Sequence, residues 1–385
     1  MNNKLGSVEG IRGVACLMVF LSHLSSTFAP SMHTGNISNA RTPIDIWLHS
    51  SPFAFIYSGA AAVGIFFVLS GFILSHVILE KNNIAQNSTG MVIKRYFRLM
   101  PPALLSCILA FMIFKFIPVD NSALGDWARN YGIKTPSIID AIYSGTIGAF
   151  LSGRAGYNWS LWTMKIEFFG SMAVFLLCFI LPNVKYKKNL VIITMAIPFF
   201  MEIKKSDEIY YASFLSGIII YLLNIKLDRK TALTLLFIGL FLCGYHSNGL
   251  FYQWIDRNVS LSVYNRPIDN YILFNNIGGF IFVFSILKSD ILSKIFANKK
   301  LNTMGALSFS VYILHQPIMY VTCPYIFNFS YSTGVSYSVS ALIASLFTLL
   351  IVYALSIPYY KYVDKSSVKI SNRVKTMMLN HKIEK

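Results

Sequence analysis

The stretch "EGIRGVACLMVFLSHLSS", residues 9–26, is an apolar run that contains two ionisable residues, Arg12 and His23. They are eleven positions apart, and eleven helical steps of about 100° return a side chain to nearly the same face, roughly 16 Å further along. We therefore predict a membrane-spanning helix with a cation near one surface and an imidazole deep in the hydrocarbon. Ionisable groups are costly there and usually functional. A positive anchor and a packing histidine are the alternative interpretation, but the shared face favours a site.

The composition supports a membrane protein. Hydrophobic residues make up 55% of the 385 positions and charged residues 13%, with a mean hydropathy of +0.56. A soluble core does not need so many apolar residues, so we predict an all-α, polytopic membrane helical bundle of about ten transmembrane helices. The apolar segments lie near 9–29, 53–79, 99–118, 160–182, 190–202, 209–224, 232–245, 271–287, 304–324 and 338–360. Segments 190–202 and 209–224 are short for a bilayer that requires about 20 residues.

Basic residues are distributed unevenly between the loops. If the N-terminus is cytoplasmic, 23 of the 33 Lys and Arg residues fall on the cytoplasmic side. They lie in the ranges 1–12, 80–98, 185–188, 226–230, 288–300 and 361–385. The positive-inside rule then predicts an even number of spans with both termini cytoplasmic. The net charge of +17 is thus a topology signal with attraction to the lipid bilayer, and we expect no nucleic-acid partner.

Domain organisation follows from the absence of linkers and repeats. We expect one transmembrane domain over residues 1–365, a basic cytoplasmic tail over 366–385, and no appended soluble catalytic domain. The first apolar run carries Arg12 and His23, so an uncleaved first span is a better interpretation than a signal peptide. The five cysteines lack metal or disulfide spacing, and we expect no metal. The longest polar loop, 119–159, is expected to cap an external cavity.

The segment "KRYFRLMPP", residues 94–102, places Arg95 and Arg98 on one helical face at a predicted cytoplasmic surface. Two guanidinium groups there can bind phosphate or pyrophosphate in a bidentate manner. Anchoring to lipid headgroups is the alternative for such an isolated pair.

Two further segments carry candidate site residues in apolar surroundings. Glu167 is the only carboxylate well inside the span of "NWSLWTMKIEFFG", residues 158–170, and could orient an imidazole general base or form a structural ion pair. Trp162 of the same segment is an interface anchor and pocket candidate. Ser70 lies in "GIFFVLSGFILS", residues 64–75, whose small residues suit close helix contact or cavity lining.

The segment "GALSFSVYILHQPI", residues 305–318, places a second histidine, His315, in mid-span, with Tyr312 one turn earlier. A second intramembrane histidine strengthens the case for an interior polar site. Taken alone, His315 could equally well have a structural role, in which its ring satisfies the hydrogen bonding of a helix kinked at Pro317.

In this order, these segments resemble the membrane acyltransferase-3 family, the ten-span O-acyltransferases of bacterial surface glycans. The resemblance extends from residue 5 to about 365. The matching elements are Arg12 and His23 with their ten intervening residues, "FFVLSGFIL" at 66–74, "RYFRLMPP" at 95–102, "WSLWTMKIEFF" at 159–169 and "LSFSVYILHQPI" at 307–318. Met164 and Lys165 depart from the smaller or apolar residues expected before the glutamate.

The resemblance implies transfer of an acyl group, usually acetyl, from cytoplasmic acyl-CoA to a hydroxyl beyond the bacterial inner membrane. It implies that Arg12 and His23 are essential and that Arg95 and Arg98 lie near the coenzyme. The expected acceptor is an O-antigen or capsular glycan, or a lipid-linked oligosaccharide. Peptidoglycan, a lipid or an exported small molecule is the alternative acceptor. A proton-coupled transporter or flippase using Arg12, His23 and Glu167 is a less favoured class, since internal repeats are missing.

Overall fold

The computed structural model describes residues 2–81, 83–201, 203–204, 206–263 and 265–380, with the side chains of residues 2–4 and 380 excepted. Helices account for 81% of the described residues, which confirms the all-α prediction. Residues 381–385, the end of the predicted basic tail, lie outside the described residues.

The described residues fold mainly into α-helices, which are joined by shorter helical segments and one pair of short strands. The α-helices are α1 (Asn2–Phe28), α2 (Ser31–Thr34), α3 (Pro43–Ser50), α4 (Gly59–Leu79), α5 (Ile84–Phe116), α6 (Asp126–Asn130), α7 (Ile138–Tyr143), α8 (Thr163–Ile180), α9 (Lys187–Ala196), α10 (Asp207–Leu222), α11 (Arg229–Cys243), α12 (Gln253–Asn258), α13 (Asn270–Leu287), α14 (Asp290–Phe296), α15 (Lys299–Ser332), α16 (Tyr337–Tyr359) and α17 (Lys365–Asn380). Short 3₁₀ segments cover Ile37–Asn39, Pro52–Tyr57, Trp159–Trp162, Leu181–Asn183, Ile197–Phe200 and Leu250–Tyr252, and π-helical segments cover Ser144–Ser152 and Tyr360–Asp364. Strands β1 (Ser262–Val263) and β2 (Arg266–Pro267) form a small antiparallel pair, with Val263 opposite Arg266.

Six helical stretches within the described residues are long and apolar enough to cross a bilayer, which confirms a polytopic membrane protein. They are Leu5–Phe28, Gly59–Leu79, Ile84–Phe116, Trp159–Asn183, Asn270–Leu287 and Tyr337–Leu379. Each corresponds to one of the ten apolar segments that the sequence predicts. The number of spans stays a prediction.

The four other apolar segments also fold as helices. α9 has 10 residues, α10 has 16 and α11 has 15. At 1.5 Å per residue, α10 extends about 24 Å, which is less than the roughly 30 Å of a hydrocarbon core. The last of these four segments, 304–324, lies within the 34 residues of α15, which carries buried polar side chains such as His315 and Gln316.

Two compact units are evident in the pattern of contacts, and each combines distant parts of the chain. The first comprises Met1–Val19, Trp47–Val92 and Ile166–Ala306. Within it, α4 packs against α10 and α13, and α11 packs against α13. Polar side chains of α13 are bonded inside the unit, since Asn276 Oδ1 accepts a hydrogen bond of 2.8 Å from Ser213 Oγ.

Glycine allows α4 and α10 to approach each other closely. A Cβ atom on Gly71 would overlap the carbonyl oxygen of Phe214, and one on Gly217 would overlap that of Val68. Small residues give membrane helices the van der Waals contact that replaces a hydrophobic driving force. The two glycines therefore set the distance between these helices.

We expect Gly71→Ala to lower the free energy of unfolding by about 1–3 kcal/mol, because overpacking forces the two backbones apart. Thermal unfolding of the detergent-solubilised protein, followed by circular dichroism, measures the effect. Gly156→Ala is the matched control, because a Cβ there has its nearest neighbour at 4.0 Å. Equal transition temperatures for the two variants would contradict the packing argument.

The second unit comprises Phe20–Ile46, Ile93–Lys165 and Leu307–Lys385. Side chains tie its helices together at both ends of α16. The Tyr337 hydroxyl donates to the Phe28 carbonyl at 3.0 Å, and the Tyr359 hydroxyl donates to the Pro102 carbonyl. The C-terminal part of α1, most of α5 and most of α15 belong to this unit, which thereby contains both His23 and His315.

Candidate active site

The structure brings together His23 and His315, which are 292 positions apart in the sequence. Nδ1 of His23 lies 2.8 Å from Nε2 of His315. His315 is buried, with 1% of its surface exposed, and His23 is partly buried. A direct hydrogen bond between two imidazoles requires that one ring donates and the other accepts.

A second contact determines the direction of that hydrogen bond. His315 Nδ1 lies 2.6 Å from the carbonyl oxygen of Tyr312, which can only accept, so Nδ1 of His315 carries a proton. In the neutral ring, Nε2 of His315 is then an acceptor, and Nδ1 of His23 donates to it. Nε2 of neutral His23 is consequently the unprotonated nitrogen, with the lone pair that a general base requires.

Aromatic rings enclose the histidine pair. The indole of Trp127 stacks on His23 with ring centroids 4.8 Å apart and planes inclined by 11°. Phe20 lies 6.0 Å and Tyr312 lies 5.8 Å from the His315 ring centroid. A flat aromatic face attracts positive charge, so Trp127 favours the imidazolium that forms when His23 accepts a proton.

Gly125 positions Trp127 at the start of α6. The Gly125 amide donates to the Thr27 carbonyl at 2.7 Å, and a Cβ on this residue would lie 2.6 Å from the Ser26 carbonyl oxygen. Only glycine permits this approach without displacement. The last turn of α1 and the first turn of α6 are therefore held together beside His23.

Pro317 removes one backbone hydrogen bond from α15, and the side chain of Asn158 replaces it. Proline has no amide hydrogen, so Pro317 leaves the carbonyl of Ile313, four residues earlier, without its helical partner. Asn158 Nδ2 donates to this carbonyl at 2.8 Å and to Ser106 Oγ at 3.0 Å. Asn158 has no exposed surface, so an unsatisfied carbonyl at this depth would be costly.

Neighbouring residues extend this connection between α15 and the 3₁₀ segment Trp159–Trp162. The Ser160 amide donates to Gln316 Oε1 at 2.9 Å. The Tyr312 hydroxyl donates to the Ser160 carbonyl at 3.0 Å and lies 3.0 Å from Thr163 Oγ1. His315 therefore lies on a helix that is bonded on both sides of it to one fixed segment.

We expect Asn158→Ala to lower the free energy of unfolding by about 1–3 kcal/mol, because the Ile313 carbonyl loses its donor in an apolar environment. Thermal unfolding in detergent reports the loss. Asn189→Ala changes an exposed asparagine of α9 and is the control. Identical curves for the two variants would show that the carbonyl is satisfied in another way.

A small cavity with room for about one water molecule lies beside this site, and the 119–159 loop contributes to its walls. Its lining includes Thr27, Leu124, Trp127, Tyr131, Met319 and Tyr320. Burial raises the pKa of the Tyr131 phenol, which stays neutral and donates to the Tyr157 carbonyl at 2.9 Å. The cavity wall is thus aromatic, uncharged and held by hydrogen bonds.

Glu167 and Ser70, both predicted site residues, are brought together within the first unit. Ser70 Oγ lies 3.0 Å from Oε1 and 3.3 Å from Oε2 of Glu167, although 97 positions separate the residues. The partly buried carboxylate accepts a hydrogen bond from the Ser70 hydroxyl. The orientation of His23 by Glu167 stays a prediction, as does a pocket role for Trp162, which is partly buried in the segment Trp159–Trp162.

The three predicted donor-binding arginines differ in their surroundings. Arg12 forms a partly exposed ion pair with Glu9 at 3.1 Å. Arg98 binds Asp364 at 2.6 Å and Ser367 Oγ at 2.9 Å, with its guanidinium 5.2 Å from the Phe309 ring centroid. Arg95, three residues before Arg98 in the sequence, is partly buried. Arg98 therefore serves the docking of the C-terminal segment, and binding of a donor phosphate has to compete with Asp364.

Sequence reasoning did not single out Trp127, Asn158 or Gln316. The signal for Asn158 was present in Pro317, since a proline inside a helix implies a donor for the carbonyl four residues earlier. Trp127 carries no comparable local signal. Among the described residues, no group of three or more His, Cys, Asp or Glu side chains is arranged to hold a metal ion.

Comparison with known proteins identifies one family. A sequence model described as an acyltransferase domain, of the acyltransferase-3 type, matches residues 5–357. Comparisons with curated proteins and with solved structures return no match. The matched range contains both histidines, the three arginines, Ser70 and Glu167, and it confirms the resemblance drawn from the five motifs.

Proposed function

The chain belongs to the acyltransferase-3 family of membrane acyltransferases, and from this premise we propose that it transfers an acetyl group from acetyl-CoA to a hydroxyl of a bacterial surface glycan. The observation that carries the proposal is the His23–His315 hydrogen bond, which leaves Nε2 of His23 as a proton acceptor inside an apolar environment. Acyl transfer to a hydroxyl requires such a base, because a neutral alcohol is a weak nucleophile.

The proposed reaction uses the imidazole directly. Nε2 of His23 removes the hydroxyl proton as the acceptor oxygen attacks the thioester carbonyl carbon. The tetrahedral intermediate then collapses, the carbon–sulfur bond breaks, and the proton passes from His23 to the departing thiolate. The products are the acetyl ester and CoA. A transient acetyl group on His23 is the alternative route, in which the thiol leaves before the acceptor attacks.

Donor binding is proposed for Arg95 and Arg98, three to four turns into α5, at a predicted cytoplasmic surface. Guanidinium groups bind the phosphates of a coenzyme through paired hydrogen bonds. Roles for Arg12 in donor binding and for Glu167 in orienting His23 are proposals carried over from the family resemblance. We also propose a multi-pass location in the bacterial inner membrane, with both termini cytoplasmic.

The first experiment compares the surface polysaccharide of cells with the protein, without it, and with His23→Ala. We expect one acetyl mass increment per modified residue in the first sample only, because removing a general base costs about 10²–10⁴-fold in rate. Mass spectrometry measures the increment, and immunoblotting of membranes controls for insertion. An identical glycan in all three samples would overturn the glycan acceptor and direct the search to peptidoglycan, lipids and small molecules.

His315 is proposed as a positioning residue that holds the tautomer of His23. We expect His315→Gln to retain at least tenfold more activity than His315→Leu, because the glutamine oxygen can accept the proton of His23 Nδ1. Initial rates with acetyl-CoA and deacetylated polysaccharide, measured across pH, provide the readout. If both variants kept the wild-type rate and pH profile, His315 would have only a packing role.

Arg98 can be tested separately from Asp364. If Arg98 binds the donor, Arg98→Ala raises the KM for acetyl-CoA, and Asp364→Asn lowers it by releasing the guanidinium. The KM for the acceptor should be unchanged in both variants. An unaltered KM for acetyl-CoA in Arg98→Ala, with a lowered unfolding temperature, would assign Arg98 to docking of the C-terminal segment alone.

A further inference from the structure

We infer that helix α17 lies in the membrane interface and binds the headgroups of anionic phospholipids through three cationic side chains on one face. These side chains are Lys365, Lys369 and Arg373, which are called the cationic stripe below. None of the three is among the candidate site residues, so lipid binding is independent of the proposed acyl transfer.

α17 begins where the membrane span ends. The 23 residues of α16 extend about 35 Å at 1.5 Å per residue, which exceeds the roughly 30 Å of a hydrocarbon core. In the π-helical segment Tyr360–Asp364 that follows, the Tyr360 ring centroid lies 4.9 Å from the Lys365 ammonium group. Tyrosine and lysine side chains are typical of the headgroup level of a membrane. α17 is therefore placed at the predicted cytoplasmic surface.

The cationic stripe has a regular helical spacing. Its members are four residues apart, so they lie within an arc of about 80° and along about 12 Å of one helix face. All three side chains are exposed, and like charges at this spacing destabilise a helix. The one acidic residue in the sequence over 361–380 is Asp364, whose carboxylate binds Arg98 of α5 at 2.6 Å. Anions from outside α17 relieve this repulsion.

An apolar strip borders the cationic stripe. It consists of Ile370 and Met377, which are seven residues apart on one face and have exposed fractions of 43% and 68%. This face is about 40–60° from that of Arg373. On the other flank of the strip, Ser367 is fully buried, and its Oγ accepts a hydrogen bond of 2.9 Å from Arg98. Around its circumference α17 thus presents a face packed on the protein, an apolar strip and the cationic stripe.

This order of faces fits a bilayer surface. A helix in the interface buries an apolar strip at the acyl-chain boundary and directs Lys and Arg side chains toward the headgroups. Anionic phospholipids give the cytoplasmic leaflet a negative surface potential that attracts nearby Lys and Arg residues. A soluble anion such as a nucleotide complements the charge of the stripe but leaves Ile370 and Met377 in water. The apolar strip therefore favours phospholipid.

Hydrogen–deuterium exchange of residues 365–380 tests the assignment in lipid nanodiscs that contain the full chain. The nanodiscs consist of phosphatidylcholine alone or of phosphatidylcholine with about one third phosphatidylglycerol. We expect exchange to be about fivefold slower with the anionic lipid, because bound headgroups hold the helix in its folded, docked state. Raising the salt concentration should abolish the difference, because the exposed charges are screened.

A pair of charge-matched variants isolates the stripe. The stripe variant combines Lys365→Gln, Lys369→Gln and Arg373→Gln. The control variant combines Lys185→Gln, Lys187→Gln and Lys188→Gln, which removes the same charge from exposed lysines on the same predicted side. We expect α17 of the stripe variant to exchange at one rate in both lipid mixtures, and α17 of the control variant to behave as in the wild-type protein. Circular dichroism verifies that both variants keep their helical content.

Three outcomes would overturn the inference. The first is equal exchange of wild-type α17 in the two lipid mixtures. The second is a control variant that loses protection as fully as the stripe variant, because net charge alone would then attract the lipid. The third is slower exchange with acetyl-CoA in phosphatidylcholine and no effect of phosphatidylglycerol, which would assign the stripe to the donor. Acetylation assays of the wild-type protein address the proposed function separately.

Discussion

The hydrogen bond between His23 and His315 is the interaction on which the candidate site depends. Two imidazoles in apolar surroundings are stable only when each ring nitrogen that carries a proton has an acceptor. The Tyr312 carbonyl fulfils this condition for His315, and His315 fulfils it for His23. The direction of the whole chain of hydrogen bonds is therefore set by one backbone carbonyl, and it ends at the nitrogen that the proposed reaction uses.

The helix that carries the Tyr312 carbonyl has a defect at the next residue, Ile313, whose carbonyl has no helical partner. Pro317 interrupts the hydrogen bonding of α15 one turn after Ile313, and Asn158 restores the missing bond from outside the helix. The same interruption lets α15 accept side-chain partners from the segment Trp159–Trp162. A regular helix would satisfy its backbone internally and would present fewer fixed points for the histidine. Membrane proteins tolerate such a break where neighbouring side chains satisfy the backbone.

Arg98 illustrates a conflict between stability and ligand binding. A guanidinium paired with the buried carboxylate of Asp364 is stabilised in the free protein, since unpaired charges are costly at low dielectric. The same pair reduces the affinity of Arg98 for any phosphate by the free energy of its opening. Arg12, whose partner Glu9 is partly exposed, has less to lose on binding an anion.

The fold class, most helix positions and several candidate site residues could be predicted from the sequence, because hydropathy and helical periodicity are local properties. Arg12 and His23 were recognisable as candidate site residues, because an ionisable side chain in an apolar segment has a high free-energy cost however that segment packs. The tertiary structure alone decided that His315 is bonded to His23 Nδ1, that Ser70 meets Glu167, and that Trp127 stacks on the imidazole. Those contacts join residues separated by 292, 97 and about a hundred positions, and no spacing within one helix distinguishes the true partner from other polar residues at similar depth. Side-chain partners depend on how the helices pack. Packing in a membrane depends on small residues and backbone contacts, which leave only weak signals in the amino-acid sequence.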